Sequence, residues 1–462
     1  MNGGHYSLRM TKAALMLLAL VVVCPLKVTA EETLTNEELE IILTGFEDSV
    51  PVKPVEESKN PEPDSRYSGF TQTAMTWNTA HDAPGEQALP GQPATDFRGL
   101  SQLQQSLYLQ WESALADGWQ FHISAGAFYD AVYSIHGRNH YTRRLLNKQE
   151  VEAELKQAWV QGGIGDRLDI KIGRQITIWG KSDNLRVADF LNPLDRREPG
   201  MTDLENLRLP VAMTKLDYYL GAWGLSLIAV NESRGNKNSP YGSDFYPFPV
   251  VLPEEVKMSG EDYALAVNGR FPGWDIAFYA ARFDDREPHW QAGQLIHSRL
   301  HMQGISASLA SGNWLLKGEL VRLHGLQFSS ASPERLMRTD VLAGLEYSGW
   351  HEKQLSVEVA ARHLHEFNRL LEEAPVYQRQ NRQELALRYN QDFLRQTLHL
   401  VLVAVKFGPG RGSGFQRLEL KYDVRDAVSI SMGMVNYDDG QHPVFGQYGD
   451  NDRLFLKFRV SF

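Results

Sequence analysis

From Arg66 to the last residue, apolar and polar positions alternate with a period of two. At the end of the chain Leu454, Leu456, Phe458, Val460 and Phe462 share one face. Arg453, Lys457, Arg459 and Ser461 share the other, with Phe455 the exception. Leu355, Val357, Val359 and Ala361 alternate with Ser356, Glu358, Ala360 and Arg362, and Leu418, Leu420 and Tyr422 with Arg417, Glu419, Lys421 and Asp423. Leu168, Ile170 and Ile172 interleave with Asp169 and Lys171. Successive side chains of a strand point to opposite faces, so each segment presents one greasy and one charged surface. Strands of about ten residues with this pattern form the wall of a transmembrane β-barrel, although a soluble sandwich alternates in the same way.

Three further patterns separate the two. Strands are predicted near 66–78, 101–115, 118–134, 150–163, 166–175, 211–221, 223–232, 258–270, 273–283, 296–310, 313–325, 338–348, 353–366, 382–393, 396–407, 414–424, 427–437 and 453–462. This is an even set of about 18 (16–18), and its gaps alternate between long and short, as a barrel with short periplasmic turns and long external loops requires. Trp119, Trp223, Trp274, Trp314 and Trp350 all stand beside the short gaps. Indole rings favour the membrane–water boundary, where the ring is in lipid and the N–H is wet. The chain also ends inside a strand, on Phe462. A terminal aromatic resembles the signal read by the outer-membrane assembly machinery, and pairing of the last strand with the first would remove both open edges.

The N-terminus reads differently. Arg9 and Lys12 precede an apolar stretch from Ala13 to Val23, and Val28-Thr29-Ala30 supplies small residues before Glu31. This is the order of a secretory signal peptide over 1–30, with a core too short to span a bilayer. A lipid anchor on Cys24 is the alternative, but Val23 and Pro25 suit it poorly. Residues 31–65 form an acidic periplasmic segment in which Thr35 and Glu38 resemble a capping pair ahead of Leu39, Ile41, Ile42 and Leu43, followed by a linker with Pro51, Pro54, Pro61 and Pro63. The barrel would occupy 66–462.

Composition narrows the field. The 462 residues are 42% hydrophobic and 23% charged, and apart from the N-terminus carry no apolar run long enough for a membrane helix. The formal net charge of −10 argues against nucleic acid as a partner. Removing the signal removes Cys24, the one cysteine. An exported chain without disulfides must be held by other means, such as one large hydrogen-bonded sheet.

Between the fifth and sixth predicted strands lies a segment rich in both charge signs. It begins at Gly173-Arg174-Gln175 and continues through Trp179-Gly180-Lys181-Ser182-Asp183, Leu185-Arg186-Val187, Asp189, Asn192-Pro193-Leu194-Asp195 and Arg197-Glu198. Phe128-Tyr129-Asp130-Ala131-Val132-Tyr133 precedes it, and Tyr218-Tyr219-Leu220 and Trp223 follow. These strings resemble an uncharacterised Gram-negative outer-membrane β-barrel family that carries only a domain-of-unknown-function label and is distantly similar to alginate-export and other porin-like barrels. The resemblance implies an outer-membrane barrel facing lipid. It also implies a periplasmic or inner-membrane exporter as partner, because members accompany resistance-nodulation-division exporters. It supplies no catalytic residue and no cofactor.

Pro193 and Pro199 forbid simple strands in this segment, and Trp179, Phe190 and Leu191 are unusual for an exposed loop. We expect part of 176–209 to fold into the lumen as a constriction or plug. Its candidate residues are Arg174, Trp179, Lys181, Asp183, Arg186, Asp189, Asp195, Arg197 and Glu198, pairing with the wall residues Lys171, Glu358, Arg362 and Glu419. An external cap held by its own ion pairs is the alternative. Residues 233–257, with Tyr241, Phe245, Tyr246 and Phe248, would form an aromatic lid.

From Leu398 to Val405 both faces of one strand are apolar, which suits either an amphipathic cargo or a loop packed against it. Wall charges elsewhere mix signs, against a strongly ion-selective pore. No G-x-S-x-G and no phosphate-binding glycine loop occurs, and Gly408-Pro409-Gly410-Arg411-Gly412 reads as a hairpin tip. His363 with His365, and His297 with His301, lack a third ligand at metal-site spacing. The sequence therefore reads as a porin-like channel or export component for a small or amphipathic solute. A sealed structural barrel is the alternative and an outer-membrane hydrolase a weaker one.

Overall fold

The structure, a computed structural model, describes residues 65–83, 95–202, 204–248, 250–258, 260–328, 334–372, 378–408, 412–440, 442 and 444–462. The export signal and acidic segment expected before the barrel lie outside these residues, as does the 409–411 tip. One sheet of eighteen strands forms the wall. In chain order they are β1 (Ser65–Asn78), β2 (Gly99–Ala114), β3 (Gln120–Asp130), β4 (Val151–Ile164), β5 (Leu168–Gln175), β6 (Val211–Leu220), β7 (Trp223–Val230), β8 (Asp262–Phe271) and β9 (Trp274–Asp284). There follow β10 (Arg299–Ser311), β11 (Trp314–Leu326), β12 (Leu336–Trp350), β13 (Lys353–Leu364), β14 (Asn381–Phe393), β15 (Leu398–Phe407), β16 (Ser413–Arg425), β17 (Val428–Asp438) and β18 (Arg453–Ser461).

Each strand pairs antiparallel with its sequence neighbours, and β1 pairs with β18 from Phe70 opposite Ser461 to Asn78 opposite Arg453. Closure extends to the final residue: Gly69 and Phe462 exchange N–H···O bonds of 2.8 and 2.9 Å. The eighteen-strand sheet is thereby closed from Gly69 to Asn78 of β1, as a sheet in lipid requires. Among the described residues no helix is long and apolar enough to cross a membrane.

The predicted strands all occur, most within a few residues of their expected ends. The third is shorter than its pattern suggests. It stops at Asp130, and Val132–His136 turns into a helix because the Asp130 carboxylate accepts the N–H groups of Leu103 and Val132 at 2.9 and 3.1 Å. Long loops and short turns segregate to opposite ends. At the turn end Trp223, Trp274, Trp314 and Trp350 are all exposed. They belong to an outward aromatic series: Trp223 lies 5.6 Å from Phe271, Phe271 4.3 Å from Trp274, and Trp314 4.4 Å from Tyr347.

The outer face is apolar over most of its height, with Leu107, Leu109, Ile172, Leu227, Phe278, Leu320, Val359, Met432 and Phe458 all exposed. The inner face divides in two. From β6 to β15 it is largely apolar, including Val211, Met213, Ile228, Ala266, Ala277, Leu300, Met302, Val321, Leu323, Leu342, Ala360, Ala386, Val403 and Val405. From β16 through β18 and on to β5 it is mostly polar, charged or aromatic, with Ala74 and Val435 as buried aliphatic exceptions, and includes Lys421, Lys457, Arg459, Gln72, Gln110, Glu112, His122, Glu154 and Lys171.

Candidate functional site

The segment between β5 and β6 occupies the barrel interior and explains the apolar inner face. Trp179, Leu185, Val187, Ala188 and Leu191 are buried in one cluster with Val211, Met213, Val321, Leu323, Val403 and Val405. The doubly apolar strand β15 is thus packed against a loop.

Entry to the lumen begins with a backbone irregularity. Gly173 has φ +128°, and a Cβ there would lie 2.2 Å from the Ala158 carbonyl oxygen. A residue free to take positive φ is needed at this point. Beyond it Arg174 reaches Glu154 and Glu232, each at 3.2 Å. Gln175 is buried and donates to the Met213 carbonyl at 3.2 Å.

The loop then descends along the apolar half. Trp179 stacks on Tyr279 with ring centroids 4.8 Å apart, and the Gly180 N–H donates to the Tyr279 hydroxyl at 3.2 Å. Two buried wall carboxylates hold the backbone. Glu319 accepts the N–H groups of Lys181, Ser182 and Ala188 at 2.5, 2.8 and 2.9 Å. Glu358 accepts those of Asp183, Asn184 and Leu185 at 2.8, 3.0 and 2.9 Å. Glu319 is 3% exposed and Glu358 wholly buried, so these bonds replace the water each carboxylate has lost. Gly180 has φ +88°, and a Cβ on it would meet a Glu319 carboxylate oxygen at 2.7 Å. The glycine of the Trp-Gly-Lys string is therefore set by the approach of this acid.

Side-chain pairs finish the seat. The Lys181 ammonium lies 2.6 Å from Asp275, and the Asp183 carboxylate pairs with Lys317. Arg186 donates to the carbonyls of Asp189 and Asn192, and its own carbonyl accepts from Arg362 at 2.8 Å. Arg362 is fixed by Asp340 at 2.8 Å and Glu384 at 2.7 Å. Asp189, 2% exposed, pairs with Arg208 at 2.7 Å. The Asn192 side chain bonds the Thr177 N–H and the Leu209 carbonyl at 2.8 and 2.9 Å, pinning the returning chain to its own start.

A second limb, 193–202, crosses the loop end of the polar half. Asp195 and Arg196 pair in parallel with Lys237 and Asn238 of the next long loop. Arg197 bridges Asp195 at 2.6 Å and Glu152 at 2.9 Å, while Lys237 bridges Glu152 and Glu154 at 2.9 and 2.8 Å. Glu198 accepts from Gln102 at 3.4 Å. The Pro199 carbonyl accepts from Tyr437 at 2.6 Å. Phe245 of the predicted lid is fully buried against Tyr437 and Tyr448, beneath Arg453, whose guanidinium lies 4.3 Å from its ring centre.

The wall residues named from sequence thus separate. Glu358 and Arg362 touch the loop, and Glu358 does so through backbone N–H groups rather than a cation. Lys171 instead lies 3.7 Å over the Trp159 ring, and Glu419 lies 4.0 Å from Lys457, both on the polar half. Glu319, Tyr279 and Asn192 were missed. The available signal was a lone acid among inward Val321 and Leu323 on β11. The His363 and His365 rings are 4.6 Å apart, and among the described residues no group of three or more histidine, cysteine or acidic side chains could hold a metal.

The profile of a family described as "Protein of unknown function (DUF1302)" matches residues 93–462. No curated protein matches the chain. Solved structures share its fold. Pseudomonas aeruginosa OpdK with vanillate aligns at TM-score 0.50 and 10% identity, covering 86% of this chain and 98% of that one. Acinetobacter baumannii OccAB3 aligns at 0.52 and 11%, covering 86% and 99%. A BenF-like porin from Pseudomonas fluorescens Pf-5 aligns at 0.52 and 11%, covering 86% and 98%. A closed eighteen-strand antiparallel barrel of this kind is an outer-membrane porin fold.

Proposed function

This chain belongs to the DUF1302 family, and from its lumen we propose that it is a porin-like channel for a small amphipathic solute, with 176–209 as the constriction. The observation that supports the reading is the double carboxylate seat, in which Glu319 and Glu358 of the wall accept backbone N–H groups of this loop. The other half keeps cations over aromatic faces: Lys171 on Trp159 at 3.7 Å, and Arg459 on Phe70 at 3.5 Å. Such pairs offer an anionic or ring-bearing solute both charge and a flat apolar surface. Vanillate in the OpdK structure is compatible with such a solute. Passage would run between the seated loop and the polar half, from the long-loop side to the short-turn side or the reverse.

A sealed barrel is favoured by one feature, the cover of Met201, Phe245, Tyr437 and Tyr448 at the loop end of the polar half. Planar-bilayer recording separates the two. The native chain should give stepwise currents that grow several-fold when 176–209 is deleted. Silence from both forms would establish the sealed reading. We also infer that the closing strand ending at Phe462 serves recognition by the assembly machinery, and that any exporter partner meets the short-turn end.

A further inference from the structure

Lipid-facing positions of a barrel are normally uncharged across the hydrocarbon and tolerate charge only near its boundaries. The outer faces of β9 to β13 follow this from the turn end upward, through Trp274, Ile276 and Phe278 on β9, Ile305 and Leu309 on β10, and Leu316 and Leu320 on β11. At the loop end the pattern changes. Arg282 lies opposite His301, and His301 opposite His324. One step nearer the turn end Arg322 lies opposite Gln303 and Thr339, and Thr339 opposite His363. Side chains directly opposite across a ladder have their Cβ atoms about 5 Å apart. Two guanidinium groups and three imidazoles therefore form one continuous outward cluster spanning five strands.

Among the described residues no ion pair involves Arg282 or Arg322, and the one acid that shares the Arg282 face of β9, Asp284, is taken up by Arg299 at 2.9 Å and by the Gly260 N–H at 3.1 Å. Glu261, on the edge of β8, accepts the Tyr263 hydroxyl. The height is informative. Arg282 stands eight residues above Trp274 and Arg322 eight above Trp314. At about 3.3 Å per residue and a tilt of about 40°, that is roughly 20 Å above the aromatic ring. An outer apolar band is about 25 Å tall, so the cations sit at its far boundary.

Below Arg282 and His301 the wall carries a groove of about 530 Å³, floored by Ala280 and flanked by Leu216, Leu227 and Leu265. Its lining is mostly apolar, with Gln303 beside Ala280, and carries Arg282 and His301 above.

We propose that this surface binds a phosphorylated glycolipid of the outer leaflet, of the lipid A type. Arg282 and Arg322 take its phosphate, the imidazole N–H groups of His301 and His324 add donors, and one acyl chain lies in the groove. A guanidinium suits this ligand because its planar fork meets two phosphate oxygens at once. Neutral imidazole still keeps one N–H donor. The occupant is a lipid rather than free phosphate because the cations open onto the hydrocarbon boundary, above an apolar trough, and not into the lumen.

The test uses the full barrel in phosphatidylcholine nanodiscs doped with bisphosphorylated lipid A or with its dephosphorylated form, and retained lipid is read by native mass spectrometry. The native barrel should retain the phosphorylated form about tenfold better. The double variant R282A/R322A, checked for assembly by its heat-modifiable gel mobility, should lose that preference while keeping its bilayer conductance. Equal retention of both forms by the native barrel overturns the proposal whether or not the variant assembles. An unchanged preference in the variant overturns it as well. Displacement of lipid A by millimolar inorganic phosphate would instead make this a site for the free anion.

Discussion

The two halves of the wall share the same outer face and the same unbroken ladder, yet their interiors are opposites. The β6–β15 half lines the lumen with Val321, Leu323, Met213 and Val403, and a loop covers them. The half from β16 round to β5 turns charged and aromatic groups inward and receives loop contacts at its outer end. The contrast shows that an inner barrel face need not be wet. Where a loop is held, the wall becomes largely a hydrophobic core, in which Glu319 and Glu358 accept loop N–H groups and Asp275, Asp340 and Glu384 pair with cations. Where no loop packs against it, the wall keeps charged and aromatic groups facing inward.

The sharpest way to break this contrast is to remove the seat. Each backbone N–H bond to a buried carboxylate contributes about 1.5–3 kcal/mol net, and loss of Glu319 or Glu358 orphans several such donors. The E319A/E358A pair should release the loop at a cost of roughly 5 kcal/mol to its docked state. The check is protease cleavage between 180 and 190 together with enlarged bilayer currents. A loop that stays protected in this variant would show that apolar packing alone holds it.

A paired substitution sharpens the comparison directly. L323D puts an unpaired charge among apolar neighbours, since Leu323 is 1% exposed, and should cost about 3–5 kcal/mol or block assembly. Q110D, on the polar half, gives up the 2.8 Å bond to Glu112 and sets a second carboxylate beside it, yet should cost less, about 1–2 kcal/mol, because the site is only partly buried. Heat-modifiable mobility over a temperature series measures both. Equal losses would abolish the distinction between the halves.

A smaller effect is expected from pH at the loop end. His442 is pushed down to about 4 by burial, and its Nδ1 accepts the N–H groups of Val444 and Phe445 at 3.2 Å each. Because the folded value lies below the ordinary 6.5, the ring favours folding above that pH. That contribution fades as pH falls from about 6.5 toward about 4. The loss should be on the order of 1–2 kcal/mol, local to the loop carrying Tyr448. Amide exchange of 444–448 at pH 7 and pH 4.5 reads it, and H442Q should flatten the difference.

The wall was legible in the sequence because its cause is local. A strand that faces lipid must place Leu454, Leu456, Phe458 and Val460 on one side, and the period of two records that regardless of what lies across the lumen. The wall tryptophans marked the turn end for the same reason. The seat was legible only in part. Trp179, Lys181 and Asp183 stand out because tryptophan and mixed charge are odd in an exposed loop. Glu319 does not, since an inward acid is unremarkable in a wet pore and becomes telling only once Val321 and Leu323 are known to be covered. Long-range partners such as Tyr279 beneath Trp179 depend on where a loop lands, and no periodicity encodes that. The helix after Asp130 escaped because the alternation continues across it, while the bond from the Leu103 N–H that anchors the Asp130 carboxylate at the turn comes from another strand.

The mildest perturbation tests what the polar half is for. Arg459 over Phe70 and Lys171 over Trp159 are cation–aromatic contacts in partly exposed positions, worth about 0.5–1 kcal/mol each. Truncating either to alanine should therefore leave assembly and melting almost unchanged, because no buried partner is orphaned and the aromatic ring stays in place. Transport should respond instead. A solute that uses both charge and ring loses its charge partner in K171A and R459A, so block of the channel current by benzoate should weaken several-fold in each. M213A on the apolar half should lower stability and leave that block alone. If benzoate block is the same in all three variants, solute does not travel along the polar half, and the division of labour between the two walls is purely structural.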